Sequence, residues 1–462
     1  MLHPFKLLDD LGYGDLEMYP NPHSPHGRIS TPYIKSLASQ GMTFTEAYAG
    51  APVCAPSRCA LMTGRHTGHC TVRQNGQVLA DSDVTIASVL QKAGYHTGLI
   101  GKWGLGSTNY PPATNIPNPE GFDLFLGYNS QENAHNYYPY TLFRNKSQIF
   151  FPDNENASTE NCGHPLTQNC TWAEDVFVNT TTEFLSNLSK SESAFFLFLS
   201  FTSPHAGGIG INAETGIPAP YDTPQYANQS WPKVERDFAS VITLQDQQVG
   251  QIVKELDSLG LGNDTVVFFA SDNGAHNEGG HSYQFFESSG PLRGYKRSLH
   301  EGGVRSPLIV RWVCEPVYCS YHTDMVYCET AAWSSETRSC GPATVGLLGF
   351  LGHRCRYSWR TAELSACTAH PTGQFPGPTR YIYHEFCYPN EDKSGWGQAV
   401  RFMNWKAVRQ VTFSHFNISY TSFGCPDVSG DSPDVVRLAV QYMDDAHSSG
   451  PKCGYLPPHP NN

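Results

Sequence analysis

The chain has 462 residues, of which 39% are hydrophobic and 12% aromatic, as expected of a large globular protein with one main core and a smaller second one. Its formal net charge is −12, which argues against a nucleic acid as the main partner because phosphate binding needs a cationic surface. No apolar run is long enough to cross a bilayer, so we expect no integral membrane span.

Five short apolar runs predict buried strands: FKLL, HTGLI, AFFLFLSF, TVVFFA and SPLIVRW. Between them, VTIASVLQKAGY and FASVITLQDQQVGQIVKELDSLGLG show apolar residues at helical spacing and close on glycine. Strands that alternate with helices predict an α/β fold with a large mixed, mainly parallel sheet flanked by helices. In such sheets ligands bind beyond the carboxyl ends of the strands.

The last third of the chain has a different pattern. Residues 313–372 are atypical, with six cysteines and little periodicity. After them, RYIYHEFCYPN and GQAVRFMNWKAVRQVTF return to a strand-like pattern, and SPDVVRLAVQYMDDAHS predicts an amphipathic helix. We therefore expect a main domain over residues 1–374 and a smaller C-terminal α+β subdomain over residues 375–462.

Sequons and cysteines indicate the secretory pathway, extracellular or lysosomal. Fourteen cysteines fit an oxidising compartment, and eight N-x-S/T sequons predict a secreted glycoprotein. The alternative is a cytosolic protein with incidental sequons. The first residues, MLHPFKLLDDLGYGD, contain no signal peptide, and we hypothesise that the sequence lacks its true start. The sequons lie at Asn145, Asn156, Asn169, Asn179, Asn187, Asn228, Asn263 and Asn417.

Oxygen-bearing side chains follow two of the predicted strands. Asp9 and Asp10 come after the first strand, and Asp272 and Asn273 after the fourth. Three carboxylates and an amide suit a hard cation, calcium before magnesium. The alternative is two solvated turns.

Cys54 lies in APVCAPSRC, a proline-stiffened segment just before a helix predicted to start at CALMTGR. The positive end of a helix and the nearby Arg58 would lower the pKa of a cysteine thiol there. The alternative is a disulfide with Cys59 or Cys70.

CAPSRCALMTGR matches the signature C-x-P-S-R-x-x-L-x-T-G-R, and with it the chain resembles the sulfatase family. LLDDLGYGD, GYHTGLIGKWGLG, FFASDNGAHNEGGHS and PLRGYKRSLHEGGVRSPLIVRW are similar to sulfatase segments in the same order. The likeness is to the arylsulfatase A-like group of the alkaline phosphatase superfamily, and it covers residues 7–312 well and 380–445 more loosely. It implies an alkaline phosphatase-like fold, with the catalytic domain over residues 1–374, and hydrolysis of the sulfate monoester of a small molecule or glycan.

The resemblance also implies roles for individual residues. Cys54 becomes Cα-formylglycine, made by a formylglycine-generating enzyme, and the hydrated aldehyde supplies two geminal hydroxyls that a thiol cannot. One hydroxyl, made more acidic on calcium, attacks sulfur. Around it, Arg58 supports the hydrated aldehyde, Lys102 contacts the sulfate, and His205 and Lys296 bind the sulfate and protonate the leaving oxygen. The implied calcium ligands are Asp9, Asp10, Asp272, Asn273 and position 54.

The sequence departs from the family at a few places. Gly104 stands where many sulfatases have a histidine, and His135, His276 and His300 are candidates to replace it. We favour His135, in QENAHNYYP. The strand before Asp9 is short, and residues 313–372 have lost the usual apolar helix of the family. A frame error or retained intron in a gene prediction is our hypothesis for that stretch.

Two other functions stay open from the sequence. One is a phosphodiesterase or phosphonate hydrolase of the same superfamily, and the other is an inactive sulfatase-like binding protein. Sulfate and phosphate esters differ mainly in charge, so the residues above do not separate them, and the natural substrate is also open.

Overall fold

A nine-stranded mixed sheet forms the centre of the fold. Its spatial order is β2-β10-β9-β1-β8-β4-β5-β6-β7. The five strands from β9 to β5 are parallel, and on each side of them the pairing continues antiparallel, through β10 and β2 on one side and β6 and β7 on the other. The strands are β1 (His3–Leu8), β2 (Met42–Phe44), β3 (Ala47–Tyr48, outside this sheet), β4 (His96–Gly106), β5 (Leu124–Ser130), β6 (Thr141–Arg144), β7 (Ser147–Phe150), β8 (Phe195–Ser200), β9 (Val266–Ser271) and β10 (Leu308–Trp312).

This computed structural model describes residues 3–21, 24–107, 113–158, 162, 169–191, 193–208, 216–312, 320–322, 325–327, 345–346, 381–388, 395–402, 405–412, 416–421 and 433–446. The helices within these ranges are α1 (Pro32–Ser39), α2 (Cys54–Thr63), α3 (Ile86–Lys92), α4 (Ala173–Leu188), α5 (Lys233–Ser258), α6 (Glu301–Val304) and α7 (Pro433–Ala446). Short 3-10 helices lie at Tyr13–Asp15, Asn133–His135 and Pro152–Asn154. None of these helices is both long and apolar enough to cross a membrane.

Both faces of the sheet are covered, as the continuous apolar runs predict. In β8, Leu197 and Leu199 join one buried cluster while Phe196 and Phe198 join another, because successive side chains of a strand point to opposite faces. Residues of α1, α4 and α5 complete the first cluster, and residues of α2 and α3 complete the second. The predicted fold class, a mainly parallel mixed sheet flanked by helices, is confirmed.

The C-terminal part forms a second, smaller sheet. Four antiparallel strands lie in the order β14-β15-β16-β17, and α7 packs its apolar side on them. A small cluster that includes Val53 and Leu299 of the main part and Phe386 of this sheet joins the two. The strands are β14 (Tyr381–Tyr388), β15 (Gly395–Phe402), β16 (Trp405–Thr412) and β17 (Phe416–Thr421).

Most of the atypical segment lies outside the described residues, and so does the predicted boundary at 374. The described pieces are the short strands β11 (Ser320–His322), β12 (Met325–Tyr327) and β13 (Val345–Gly346). β11 pairs with β12, and β13 pairs in parallel with β3.

Candidate active site

The parallel strands deliver the predicted site residues to one edge of the sheet. Asp9 follows β1, Asp272 follows β9 and His205 lies beyond the end of β8. The carboxyl ends of parallel strands meet at the same edge, which is where ligands bind in such sheets. Lys102 lies within β4 rather than after it, because that strand continues to Gly106 with an irregular register between Lys102 and Gly106.

An acidic cluster lies at the centre of the site. Asp9, Asp10 and Asp272 are buried, and the backbone N–H of Asp10 donates to Asp272 Oδ1 at 3.1 Å. Asn273 Nδ2 donates to Asp10 Oδ1 at 2.6 Å, whereas Asn273 Oδ1 has no hydrogen-bond partner within the described residues. Burial is the main cause that raises the pKa values of Asp10 and Asp272 to about 6. Burial alone would raise the pKa of Asp9 as well, but Lys102 and Arg58 outweigh it and hold that pKa well below its usual range.

These side chains fit a hard divalent cation. The cluster offers carboxylate oxygens together with one buried amide oxygen, Asn273 Oδ1, that no group within the described residues satisfies. Three buried carboxylates so close together repel one another unless cations lie between or beside them. The donor set is therefore the one that calcium or magnesium takes in proteins.

Cys54 is the first residue of α2, so this helix begins one turn earlier than predicted. Its Sγ lies 3.3 Å from Asp9 Oδ1 and 3.9 Å from Asp10 Oδ1, and it is not in a disulfide with Cys59 or Cys70. Burial and the Asp9 carboxylate raise the pKa of the Cys54 thiol well above its usual range. The expectation of a lowered thiol pKa is therefore wrong, because the carboxylates and burial outweigh the helix terminus and the nearby cations.

Buried cations surround the acidic cluster. Arg58 lies 2.8 Å from Asp272 and 3.4 Å from Asp9, and Lys102 pairs with Asp9. Arg58 Nη1 donates to the Lys102 carbonyl at 2.9 Å, which fixes the arginine against β4.

Lys296 connects the cluster to a carboxylate that the sequence analysis missed. Its Nζ lies 2.7 Å from Asp10 Oδ2 and 2.8 Å from Glu278 Oε2, and Glu278 also pairs with Arg297. Glu278 belongs to the quoted stretch GAHNEGG, but nothing in that stretch indicates that it meets two basic residues from a later loop.

His205 is neutral near neutral pH. Burial, reinforced by the charge of Lys296, lowers its pKa to about 4. Its Nδ1 lies against the Ala206 carbonyl oxygen, so the ring carries its hydrogen on Nδ1 and donates there. Nε2 is then free to accept a hydrogen bond from Lys296 Nζ at 2.9 Å.

The three candidate histidines occupy different places. The His135 ring stacks on the His205 ring, with the ring centroids 4.2 Å apart, so His135 contacts the site by way of His205. The His276 ring lies farther away, at 6.3 Å from His205, and its Nε2 is 2.9 Å from the Pro204 carbonyl oxygen. His300 lies among Arg293, Lys406 and Glu301, apart from the acidic cluster.

Gly104 has a different neighbour from the one expected. Its φ is +72°, and a Cβ there would lie 2.8 Å from Gln131 Oε1 and 3.5 Å from Arg58 Cδ and Lys102 Cε. The side chain next to position 104 is therefore Gln131, which the sequence analysis quoted but did not single out.

Comparison with known proteins identifies the family of the chain. A family model described as Sulfatase matches residues 7–314. The chain belongs to the sulfatase family. Its similarity to steryl-sulfatase of Rattus norvegicus is 30% identity over 373 residues, which covers 66% of this chain and 61% of that protein. Arylsulfatase A of Bos taurus is 32% identical over 319 residues, with 66% of this chain and 57% of that protein covered.

Solved structures extend the likeness of fold over nearly the whole chain. The structure of Ps i-CgsB in complex with k-i-k-neocarrahexaose matches with a TM-score of 0.66 at 21% identity, and covers 97% of this chain and 93% of its own. The structure of BT4656 in complex with its substrate D-glucosamine-2-N,6-O-disulfate matches with a TM-score of 0.63 at 16% identity, over 96% and 97% of the two chains. The chain of this sulfatase-family member spans about three fifths of the length of the curated relatives named above.

Proposed function

We propose that the chain is a sulfuric ester hydrolase of the arylsulfatase type, which cleaves a sulfate monoester with a formylglycine derived from Cys54 and with calcium. One observation carries the proposal: Cys54 Sγ lies 3.3 Å from Asp9 Oδ1, in a buried cluster of carboxylates and cations at the carboxyl edge of the sheet. The family membership and the intact CAPSR motif support it.

The acidic cluster would hold calcium, with ligands from Asp9, Asp10, Asp272, Asn273 and position 54. Bound there, the ion would supply positive charge that acidifies a nucleophilic hydroxyl and polarises a sulfuryl oxygen. Asn273 Oδ1, buried and without a protein partner in the described part of the chain, is the oxygen whose role this ligand explains.

The formylglycine is supported by what an unmodified thiol would do here. Burial and Asp9 raise the pKa of the Cys54 thiol, so it stays protonated and is a poor nucleophile. A hydrated aldehyde at the same position would supply geminal hydroxyls as the nucleophile. The proposal therefore requires a formylglycine-generating enzyme as a partner during maturation.

The charges around the cluster suit a monoanionic sulfate ester together with a dication. Four carboxylates face four basic side chains, so the addition of calcium and of a sulfate ester leaves only a small positive charge; these are Asp9, Asp10, Asp272 and Glu278, and Arg58, Lys102, Lys296 and Arg297. Arg58 and Lys102 are already fixed by the carboxylates, and so they need no rearrangement to stabilise charge that develops on the sulfuryl oxygens.

Lys296 and His205 form the proposed proton-donating pair. Lys296 is held charged by Asp10 and Glu278 despite its burial, and it donates to the neutral ring of His205. The ammonium therefore carries the available proton, and His205 orients it and can share it as the leaving oxygen takes the proton. The proposed substrate is a sulfated small molecule or glycan, the class named for the relatives.

We also propose that the protein matures in the secretory pathway, extracellular or lysosomal, as a glycoprotein. The disulfide between Cys162 and Cys170 supports an oxidising compartment. Among the residues whose burial the structure describes, six sequon asparagines are exposed, at Asn156, Asn169, Asn179, Asn187, Asn228 and Asn263. Enzymatic removal of N-linked glycans should shift the mobility of the secreted protein, and an unchanged mobility would contradict this part of the proposal.

Mass spectrometry of the peptide that contains Cys54 tests the nucleophile. In protein made by a host with the modifying enzyme, we expect the mass of an aldehyde in place of a thiol. Cys54→Ala should abolish turnover and leave thermal unfolding cooperative, whereas Cys59→Ala, on the same helix, is the matched control and should keep both the aldehyde and turnover.

Paired aryl sulfate and aryl phosphate esters test the reaction. We expect faster hydrolysis of the sulfate. Faster hydrolysis of the phosphate would favour a phosphodiesterase, and an unmodified thiol without any turnover would favour a binding protein.

A further inference from the structure

Gln131 lies beside the basic residues of the site. It directly follows β5, which pairs in parallel with β4, and so it leaves the sheet at the same edge as the other site residues. A Cβ on Gly104 would lie 2.8 Å from Gln131 Oε1 and 3.5 Å from carbon atoms of both Arg58 and Lys102. The carboxamide therefore stands over Gly104, on the side of the site that Arg58 and Lys102 form.

This carboxamide is buried without a hydrogen-bond partner. Gln131 is 6% exposed, and neither its Oε1 nor its Nε2 has a partner within the part of the chain that the structure describes. Two buried glutamines of α5 differ, since Gln245 Nε2 donates to the Ser203 carbonyl at 2.6 Å and Gln248 Nε2 to Asp175 at 3.0 Å. A buried amide that has lost water and gained no protein partner is costly, and such a group calls for a ligand that pairs with it.

We propose that Gln131 contacts the substrate: its carboxamide donates a hydrogen bond to an oxygen of the sulfate group that Lys102 and Arg58 hold. This inference rests on the proposed function and names a further residue of that site. With no side chain at position 104, the neutral polar group on this side comes from the end of β5 instead of from β4. An amide keeps its hydrogens at every ordinary pH, and so it can bind an oxyanion without adding a titration to the pH profile.

Gln131→Leu tests the proposal, because leucine keeps much of the volume and removes both polar atoms. Binding of inorganic sulfate, measured by calorimetry, should weaken about tenfold or more, since a hydrogen bond to an anion is lost. The value of kcat/KM for an aryl sulfate should fall in parallel. The Tm should stay the same or rise, because an unsatisfied buried amide is replaced by an apolar group. A purely structural role predicts the reverse pattern, a lower Tm with unchanged sulfate binding.

Gln248→Leu is the matched control. It removes a buried glutamine of α5 whose amide donates to Asp175 and not to a residue of the site, and Asp175 loses that donor. We expect a lower Tm and a Kd for sulfate within about twofold of the wild type.

Gly104→Ala gives an independent approach to the same carboxamide. A Cβ 2.8 Å from Gln131 Oε1 must displace it, so sulfate binding should weaken in the wild-type background. In the Gln131→Leu background the same substitution should weaken binding no further, because the two changes remove one interaction. Equal losses in both backgrounds would mean that Gly104→Ala acts through its strained backbone, with a φ of +72°, and would count against the proposal.

Sulfate binding by Gln131→Leu equal to that of the wild type would overturn the role of Gln131. A wild type that neither binds sulfate nor hydrolyses sulfate esters would instead refute the proposed function, and with it this inference. A wild type that does both, with an unchanged Gln131→Leu variant, refutes this inference alone.

Discussion

Two of the regions that bury charged side chains use them differently. One is the candidate active site at the edge of the large sheet. The other, which we call the joint, lies between the large sheet and the C-terminal sheet, where Lys406 lies 3.4 Å from Glu301 and Arg401 lies 3.0 Å from Glu46. In the joint, Tyr48 ties the pairs together, because its hydroxyl donates to Glu301 and accepts from Arg401.

The difference lies in how the buried groups are paired. In the joint, Glu301 Oε1 and Lys406 Nζ also lack a hydrogen-bond partner within the described residues, but they lie 3.4 Å apart as an ion pair, which fixes two elements of the protein together. In the site, Asn273 Oδ1 and the carboxamide of Gln131 are buried and have no partner within the described residues, although charged groups surround them. Buried charge and unused polar atoms therefore occur in both regions, and the site differs because its unused atoms include both the oxygen and the nitrogen of one amide, Gln131.

A matched pair of lysine substitutions would sharpen this comparison most. Lys102 in the site and Lys406 in the joint are both buried, and each faces a carboxylate. Lys102→Met should lower turnover about 100-fold or more, because a cation that would stabilise charge on the sulfuryl oxygens is lost. Unfolding in the presence of calcium should stay cooperative. Turnover near that of the wild type would contradict the role of Lys102.

Lys406→Met should have the opposite effect. Removal of one partner leaves Glu301 buried without its closest cation, which should lower the free energy of unfolding by about 3 kcal/mol. The kcat per folded molecule should not change, since Lys406 lies in the joint and not in the site. Denaturant unfolding measures the first quantity, and turnover below the unfolding transition measures the second. A loss of kcat with unchanged stability would break the distinction between the two regions.

Two buried glutamates should show opposite pH dependences of stability. Glu174, the second residue of α4, accepts hydrogen bonds from the backbone and hydroxyl groups of Thr202 and Ser203. Burial raises its pKa from 4.5 to about 7 in spite of those donors. Below pH 4.5 the carboxyl is protonated in both the folded and unfolded states. As the pH rises from 4.5 to 7, the unfolded state loses its proton while the folded state keeps it, and stability falls.

Between pH 4.5 and 8 the free energy of unfolding of the wild type should therefore fall by up to about 3 kcal/mol through this group. Glu174→Gln should abolish this fall, as measured by denaturant unfolding. In the joint, burial alone would raise the pKa of Glu301, but Lys406, the Tyr48 hydroxyl and Arg401 hold it below its usual value. Glu301 thus stabilises the protein above pH 4.5, and this contribution is lost as the pH falls. Glu301→Gln should cost most near neutral pH. Two parallel pH profiles would show that the two carboxyls do not differ in this way.

The sequence alone predicted the fold well, because its signals are local. The apolar runs identify β1, β4, β8, β9 and β10, but not β5, and the helical pattern from Phe238 onward identifies α5, which begins earlier, at Lys233. The parallel direction of the central strands also follows from the alternation of strands and helices, and it explains why Asp9, Lys102 and His205 come together from distant positions. Their roles in catalysis stay predictions that the variants above test.

The tertiary structure decided the contacts between residues that share no local pattern. The pKa of the Cys54 thiol is raised and not lowered, because burial and the Asp9 carboxylate act together, and neither is visible around Cys54 in the sequence. The pairing of Glu278 with Lys296 and the position of Gln131 over Gly104 depend on how loops pack at the sheet edge. Periodicity fixes which face a residue takes along its own element, whereas charge, burial and unused polar atoms depend on the neighbours that folding brings from elsewhere in the chain.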